Sequence, residues 1–253
     1  MTELTGKHAV ITGGGTGVGA AIALALAGVG ATVTVSGRRQ SALDEVARQS
    51  DNITTAICDV TDPENVATLF AGAIAAHGAV DIVVANAGAA ESCPFAKESL
   101  ERWQATLDVN LTGVFLTMQS GLAAMEGKGW GRIVTISSVA GLKGYGYIAA
   151  YCAAKHGVIG LTKSVAMEVA KTGVTVNAIC PGYTDTPMLD RTLDNIMKKT
   201  GMSREDAAGV LLQQNPTGQF VTPEEVAEMT LWLCGPNSAS ITGQALSVSG
   251  GEV

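Results

Sequence analysis

The chain has no run of basic residues and little charge of either sign: Lys, Arg, Asp and Glu make up 15% of its 253 residues, and the net charge is −7. A surface that tracks phosphates needs clustered Lys and Arg, so duplex DNA or RNA binding is excluded as its main role. Aromatic residues are scarce at 4%, which removes the stacking platforms that hold single strands. No apolar run reaches the roughly 18–20 residues of a membrane span; the stretch from Ile22 to Val29 is the densest. Met1 to Lys7 lacks the basic-then-apolar order of a signal peptide. The five cysteines (Cys58, Cys93, Cys152, Cys180 and Cys234) are scattered, odd in number and without a CxxC pair. Reduced thiols in a cytoplasmic protein are the simplest reading, and no metal site is expected.

What the chain does have is apolar residues (47%) in short runs and 31 glycines, about one residue in eight. That length supports one sizeable core, and residues 1–253 read as a single domain. Seven short β-branched runs read as strands: His8–Thr12, Thr32–Ser36, Ile53–Cys58, Asp81–Ala85, Arg132–Ser137, Val174–Ile179 and Ala245–Val248. Several contain unbroken apolar stretches, such as Ile82-Val83-Val84 and Ile133-Val134, as parallel strands covered on both faces should. Helical patterns lie between them: Val18–Ala27, Ser41–Gln49, Pro63–His77, Leu100–Met125, Ala149–Lys171 and Pro223–Leu233. The alternation predicts an α/β fold, a doubly wound (Rossmann) parallel sheet of about seven strands with helices on both faces. One region breaks the rhythm. Residues 188–219 are mostly helical in pattern, carry Arg191, Lys198, Lys199 and Arg204, and leave from a strand end where ligands bind, so they read as a substrate lid.

The segment Thr12-Gly13-Gly14-Gly15-Thr16-Gly17-Val18-Gly19 follows the first strand and opens a helix. Glycines there let the backbone approach a pyrophosphate seated on the helix N-terminus. The second strand ends Ser36-Gly37-Arg38-Arg39, with no acid to hold ribose hydroxyls. An arginine can stack on adenine and pair with a 2′-phosphate, so NADP(H) is favoured and NAD(H) remains open. Asp59 and Val60 close the third strand, and Asn86-Ala87-Gly88 the fourth, at positions suited to adenine and to close cofactor approach. Further along, Tyr151 and Lys155 are four apart on a helix and share a face, and Ser138 lies thirteen residues before Tyr151. An ammonium near a phenol stabilises the phenolate, so the tyrosine pKa is expected to fall from about 10 toward neutrality. Such a phenol passes a proton to or from a substrate oxygen while the serine holds that oxygen. This is the outline of a carbonyl–alcohol redox site.

Taken in order, Thr12-Gly13-x-x-x-Gly17-x-Gly19, Asn86-Ala87-Gly88, Ser138, Tyr151-x-x-x-Lys155 and Pro181-Gly182 resemble the short-chain dehydrogenase/reductase family over about Gly6 to Gly251. The resemblance implies an NAD(P)-dependent oxidoreductase, commonly a homotetramer. It implies that Tyr151 is the acid or base, that Ser138 holds the carbonyl oxygen, and that Lys155 binds the nicotinamide ribose. It further implies that Asn110 anchors a proton-relaying water, that Thr186 meets the carboxamide, and that Pro181, Gly182 and Thr184 line the cofactor. Two departures stand out: Ala85 where many members have a second asparagine, and Gln219 where fatty-acid-synthesis reductases tend to have arginine. The texture matches 3-oxoacyl thioester reductases, polyketide ketoreductases and 3-hydroxybutyrate-type dehydrogenases. The expected activity is NADPH-dependent reduction of a 3-oxoacyl thioester, on CoA or an acyl carrier, or of a similar β-keto substrate. The alternatives are an NAD-dependent dehydrogenase of a small secondary alcohol or hydroxy acid, and a catalytically silent dinucleotide-binding protein. His156 follows Lys155 directly and so points about 100° away. Trp103, Trp232, Cys152 and Cys180 read as packing residues.

Overall fold

The apolar runs form seven strands, β1 (His8–Thr12), β2 (Thr32–Gly37), β3 (Ile53–Ile57), β4 (Ile82–Ala85), β5 (Gly131–Ile136), β6 (Val174–Pro181) and β7 (Ala245–Val248). All pair in parallel, in the order β3-β2-β1-β4-β5-β6-β7. The computed structural model describes residues 3–253. Every residue of β1, β4, β5 and β6 is buried, which is why these strands show no polar alternation. One face is covered by α1 (Gly17–Gly28) and α9 (Pro223–Cys234), packing Ile22, Leu26, Val226 and Leu233 on Ile11, Val33 and Ile179. On the other face α3 (Pro63–His77), α5 (Gly113–Ala124) and α6 (Ala149–Glu168) pack Phe70, Met118 and Val158 on Val10, Val83 and Val176. The chain reverses its winding direction between β1 and β4, and the crevice at their carboxyl ends is where an open α/β sheet binds ligands.

The expected strands and helices form with ends shifted by a residue or two in most cases, but the expected helix over residues 100–125 does not run unbroken. It comprises α4 (Leu100–Leu107), a π turn over Asp108–Thr112, and α5. Single π turns inside helices mark functional sites, and this one carries Asn110. Residues 187–212 fold as two helices, α7 (Pro187–Thr200) and α8 (Arg204–Leu212), with their own small core of Leu189, Leu193, Ala207 and Leu211. Arg204 of α8 bonds Asp190 of α7 and staples the pair. The short helix α2 (Gln40–Ala47) follows β2. Among the described residues no helix is long and apolar enough to cross a membrane.

The amino ends of the strands are tied by one carboxylate. Asp81 is buried and accepts from the His8 N–H (3.0 Å) and from Lys128 Nζ (2.7 Å), with Lys7 Nζ at 3.4 Å. Burial works against its ionised form, but the Lys128 bond, the His8 N–H and the two ammonium charges outweigh it and hold the carboxyl below its usual range. A depressed carboxyl contributes stability above the unfolded-state pKa and loses it as pH falls through the folded-state value. Asp81→Asn is therefore expected to cost about 2 kcal/mol in denaturant unfolding at neutral pH, with the gap to the parent closing below about pH 4. A gap that stays constant with pH would remove the ion pairs from this account.

Candidate active site

The glycine-rich turn is shaped first by the protein's own backbone. Gly13 (φ +67°) and Gly17 (φ +55°) adopt left-handed conformations that favour glycine. A Cβ on Gly19 would lie 2.4 Å from the Gly13 carbonyl oxygen and 2.5 Å from Asn86 Nδ2. Asn86 donates to the carbonyls of Thr12 and Gly13 at 3.0 Å each, and the Thr12 hydroxyl accepts from the Asn86 and Ala87 N–H groups. Asn86 thus clamps the turn from β4 and is not free to reach a ligand with its amide. Gly88 is exposed beyond it. Gly17 faces Thr186, whose Cγ2 is 3.0 Å from the Gly17 Cβ position. Thr16 and Thr186 stand at the starts of α1 and α7, and neither side chain caps its helix. By contrast α3, α4, α8 and α9 are capped by Asp62, Ser99, Ser203 and Thr222. Two helix N-termini with free backbone donors, Val18 among the first, therefore meet at the switch point. That donor set suits a dinucleotide pyrophosphate.

At the end of β2, Gly37 leaves room and no carboxylate projects. Arg38 and Arg39 are exposed, and Arg38 Nη1 lies 3.9 Å from Asp59 Oδ2. Asp59 Oδ1 accepts from the Thr61 N–H and hydroxyl. The Thr61 N–H does most to hold the Asp59 carboxyl below its usual range; the Thr61 hydroxyl and Arg38 add to it against partial burial. Val60 is buried, touching the position a Cβ on Gly113 would take (2.7 Å). These residues present an exposed cationic rim fitted to a phosphorylated ribose.

The chemistry converges between β5 and α6. Ser138 follows β5 and accepts from the Ala140 N–H (3.1 Å), and its hydroxyl is near enough to the Tyr151 phenol to favour the phenolate. Tyr151 and Lys155 share a face of α6, with Lys155 Nζ 5.5 Å from the Tyr151 ring centre. Lys155 is 3% exposed and donates to the Ile136 carbonyl at 2.8 Å. A Cβ on Gly88 would lie 2.8 Å from Asn110 Oδ1 and 3.7 Å from Lys155 Nζ, so the asparagine and the lysine border the same space. Asn110, fully buried, donates to the carbonyls of Ala89 and Thr106 and accepts from the Ala89 N–H. Its amide holds the turn after β4 on the π turn.

One expectation is corrected here. The Tyr151 phenol is not lowered toward neutrality: burial pushes it up to about 12, and the nearby Ser138 hydroxyl only partly offsets this. Burial lowers Lys155 to about 8. In free titration the lysine gives up its proton before the phenol does, so the ammonium stands beside Tyr151 only below about pH 8. Helix spacing put the two groups on one face but gave no measure of their desolvation.

Comparison with known proteins decides the family. Residues 7–196 match the model of the family described as short chain dehydrogenase. The chain belongs to that family. It is 40% identical over 214 residues to a D-beta-hydroxybutyrate dehydrogenase of Rhizobium meliloti, covering 84% of this chain and 83% of that protein. It is 41% identical over 196 residues to a putative ketoacyl reductase of Streptomyces coelicolor, covering 77% and 75% respectively. Among solved structures it matches an actinorhodin polyketide ketoreductase variant crystallised with NADPH, at a TM-score of 0.95 and 36% identity over 100% of this chain and 99% of that one. As a short chain dehydrogenase it is an oxidoreductase acting on secondary alcohol or ketone groups.

Beside this core lie the loop after β6 and the helix pair α7–α8. Pro181 is buried at the end of β6, and Gly182, Tyr183, Thr184 and Thr186 follow it. Thr184 Oγ1 donates to the Gly182 carbonyl and Thr186 Oγ1 to the Thr184 carbonyl, which fixes this loop beneath α7. On α7, Asn195 (2.8 Å) and Lys199 (3.3 Å) donate to Ser92 Oγ, joining the helix pair to the loop after β4. Arg191 and Lys198 are exposed. His156 is exposed and bonded to the Cys152 carbonyl, and Cys152 and Cys180 are buried, as expected. Trp232 departs from its expected packing role: it is 44% exposed on α9. Sequence reasoning passed over Ser92, Tyr145 and Tyr183; all four tyrosines of the chain, the exposed Tyr147 included, fall within residues 145–183 around Tyr151.

Proposed function

We propose that this chain is an NADPH-dependent reductase of a 3-oxoacyl thioester or similar β-keto substrate, making the 3-hydroxy product. The observation that carries the reading is the buried Lys155, tied to β5 through the Ile136 carbonyl and 5.5 Å from the Tyr151 ring centre, with Ser138 at the end of the same strand. The exposed Arg38 and Arg39, with no acid at the end of β2, support NADP(H) over NAD(H). So does the likeness to a ketoreductase crystallised with NADPH. Gly13, Thr16, Gly17, Val18 and Gly19 would lie against the pyrophosphate, with Arg38, Arg39, Asp59 and Val60 at the adenosine end. Asn86, Gly88, Pro181, Gly182, Thr184 and Thr186 would enclose the nicotinamide half. The bound nicotinamide supplies the hydride.

The residues supply position and the proton. Ser138 Oγ holds the ketone oxygen against Tyr151, and the Tyr151 hydroxyl donates its proton to that oxygen as negative charge builds there. Lys155 stabilises the phenolate left behind, and Asn110 orders the path that returns a proton to Lys155. Residues 188–219 act as a lid over a single domain spanning 1–253. Arg191, Lys198 and Lys199 on it are placed to meet the phosphates of a CoA or acyl-carrier arm. Cytoplasmic residence and a homotetramer complete the reading.

The test compares initial rates with acetoacetyl-CoA and with free 3-hydroxybutyrate, each with NADP and NAD cofactors. Thioester reduction with NADPH should exceed free-acid oxidation by at least about tenfold in kcat/KM, a difference of roughly 1.4 kcal/mol. Turnover of the free hydroxy acid alone, with NAD, would hand the site to the small-alcohol dehydrogenase reading.

A further inference from the structure

A buried carboxylate remains that no step above uses. Glu252 lies past β7 with its side chain fully buried. Its Oε1 accepts from the Tyr145 hydroxyl and from Lys143 Nζ, the latter at 3.0 Å. Its Oε2 is buried with no hydrogen-bond partner. Burying a carboxylate with half its acceptor capacity unused is costly, so its retention calls for a role. Its surroundings supply one.

The backbone that delivers Glu252 leaves no latitude. Gly250 (φ +60°) and Gly251 (φ +89°) thread past the loop after α8, and a Cβ on Gly250 would lie 2.1 Å from Asn215 Oδ1 and 2.5 Å from Thr217 Oγ1. On the other side Gly182 is packed so closely that its Cβ would meet Ser249 at 3.2 Å and Glu252 Oε2 at 3.4 Å. Glu252 therefore sits where three segments meet: the exit of the lid helices, the loop leaving β6, and the loop between Ser138 and Tyr151. The Tyr145 ring it holds stands edge-on to Tyr183, with centres 6.5 Å apart and planes at 85°. Tyr183 is in turn close enough to Tyr151 for the two phenols to influence each other. Lys143 covers the outer face of Tyr145 at 5.1 Å.

We propose that Glu252 is a positioning residue which fixes the Tyr145–Tyr183 wall beside Tyr151 and so sets how the ketone is held for reduction. This rests on the reductase reading above. Burial and the Glu252 carboxylate hold Tyr145 well above its ordinary pKa, and the same two causes raise Tyr183.

The test pairs Glu252→Ala with Glu252→Gln, Tyr145→Phe and the Glu252→Ala/Tyr145→Phe double variant. Glu252→Ala should raise KM for the ketone about tenfold with kcat within about threefold and NADPH affinity unchanged. Glu252→Gln, which still accepts from Tyr145, should recover most of that loss. Tyr145→Phe should reproduce it, and the double variant should add nothing, since both changes break one contact. A KM unmoved by Glu252→Ala and Tyr145→Phe, or additive losses, would overturn the proposal. Tyrosinate absorbance supplies a readout apart from turnover. Tyr145 is faced by Glu252, Lys143, Tyr183 and Cys152, and removing the Glu252 charge should bring one more phenol into titration at lower alkaline pH. An unchanged titration would overturn the coupling even if no ketone substrate were found, whereas absent turnover with the shift present would count only against the reductase reading.

Discussion

Tyr151→Phe is expected to lower ketone reduction by about a thousandfold or more while leaving NADPH affinity within about threefold. The argument starts from what the substitution removes. The ring keeps its packing on α6; only the hydroxyl goes, and with it the influence of Ser138 on the phenol. Ser138 then still accepts from the Ala140 N–H and lies 3.5 Å from the Pro181 carbonyl, so the loop after β5 keeps its anchors. Turnover thus loses its proton donor without losing its scaffold. Tyr145→Phe is the control, because it removes a second phenol from the same cluster and should spare kcat. Retention of more than about a tenth of kcat in Tyr151→Phe would transfer the proton step to another group.

How much of this was legible in the chain differs by element. The stretches Ala9–Ile11 and Ile82–Ala85 are apolar without a break, and only a strand covered on both faces tolerates that. The helix expected over Pro223–Leu233 starts at Pro223, where Thr222 and Glu225 form reciprocal capping bonds. Residues 100–125 were not so legible. Nothing there breaks a helix, since the apolar positions continue through Asp108–Thr112, and a π turn depends on which carbonyl each N–H selects. Asn110 was recognised through its resemblance to the family, yet its bonds to Ala89 and Thr106 required the fold. The Tyr145–Glu252 bond spans 107 residues and has no local signature at all. Burial was the largest blind spot. A four-residue spacing placed Tyr151 beside Lys155 correctly, but the sign of the Tyr151 shift is set by desolvation, which only the packed structure reveals.

That same desolvation yields the other large effect, at Lys155. Because burial lowers the ammonium to about 8, it is charged below that pH and neutral above it. Reduction leaves a phenolate on Tyr151, and a positive charge 5.5 Å from its ring centre, at an effective dielectric constant near 20, stabilises it by roughly 3 kcal/mol, or about a hundredfold in rate. The parent enzyme should therefore lose reductase activity as pH rises through about 8, although the donor Tyr151 stays protonated up to about 12. In Lys155→Met the apolar stem survives while the charge and the bond to the Ile136 carbonyl are lost. Its kcat should fall about a hundredfold at neutral pH and, lacking the titrating cation, should stay flat across the range where the parent declines. The flat profile separates loss of charge from mere loosening of α6, which would lower the rate without erasing the alkaline limb. If Lys155→Met keeps that limb, the titrating group lies elsewhere, and the buried ammonium is a structural tie to β5 instead of the partner of the phenol.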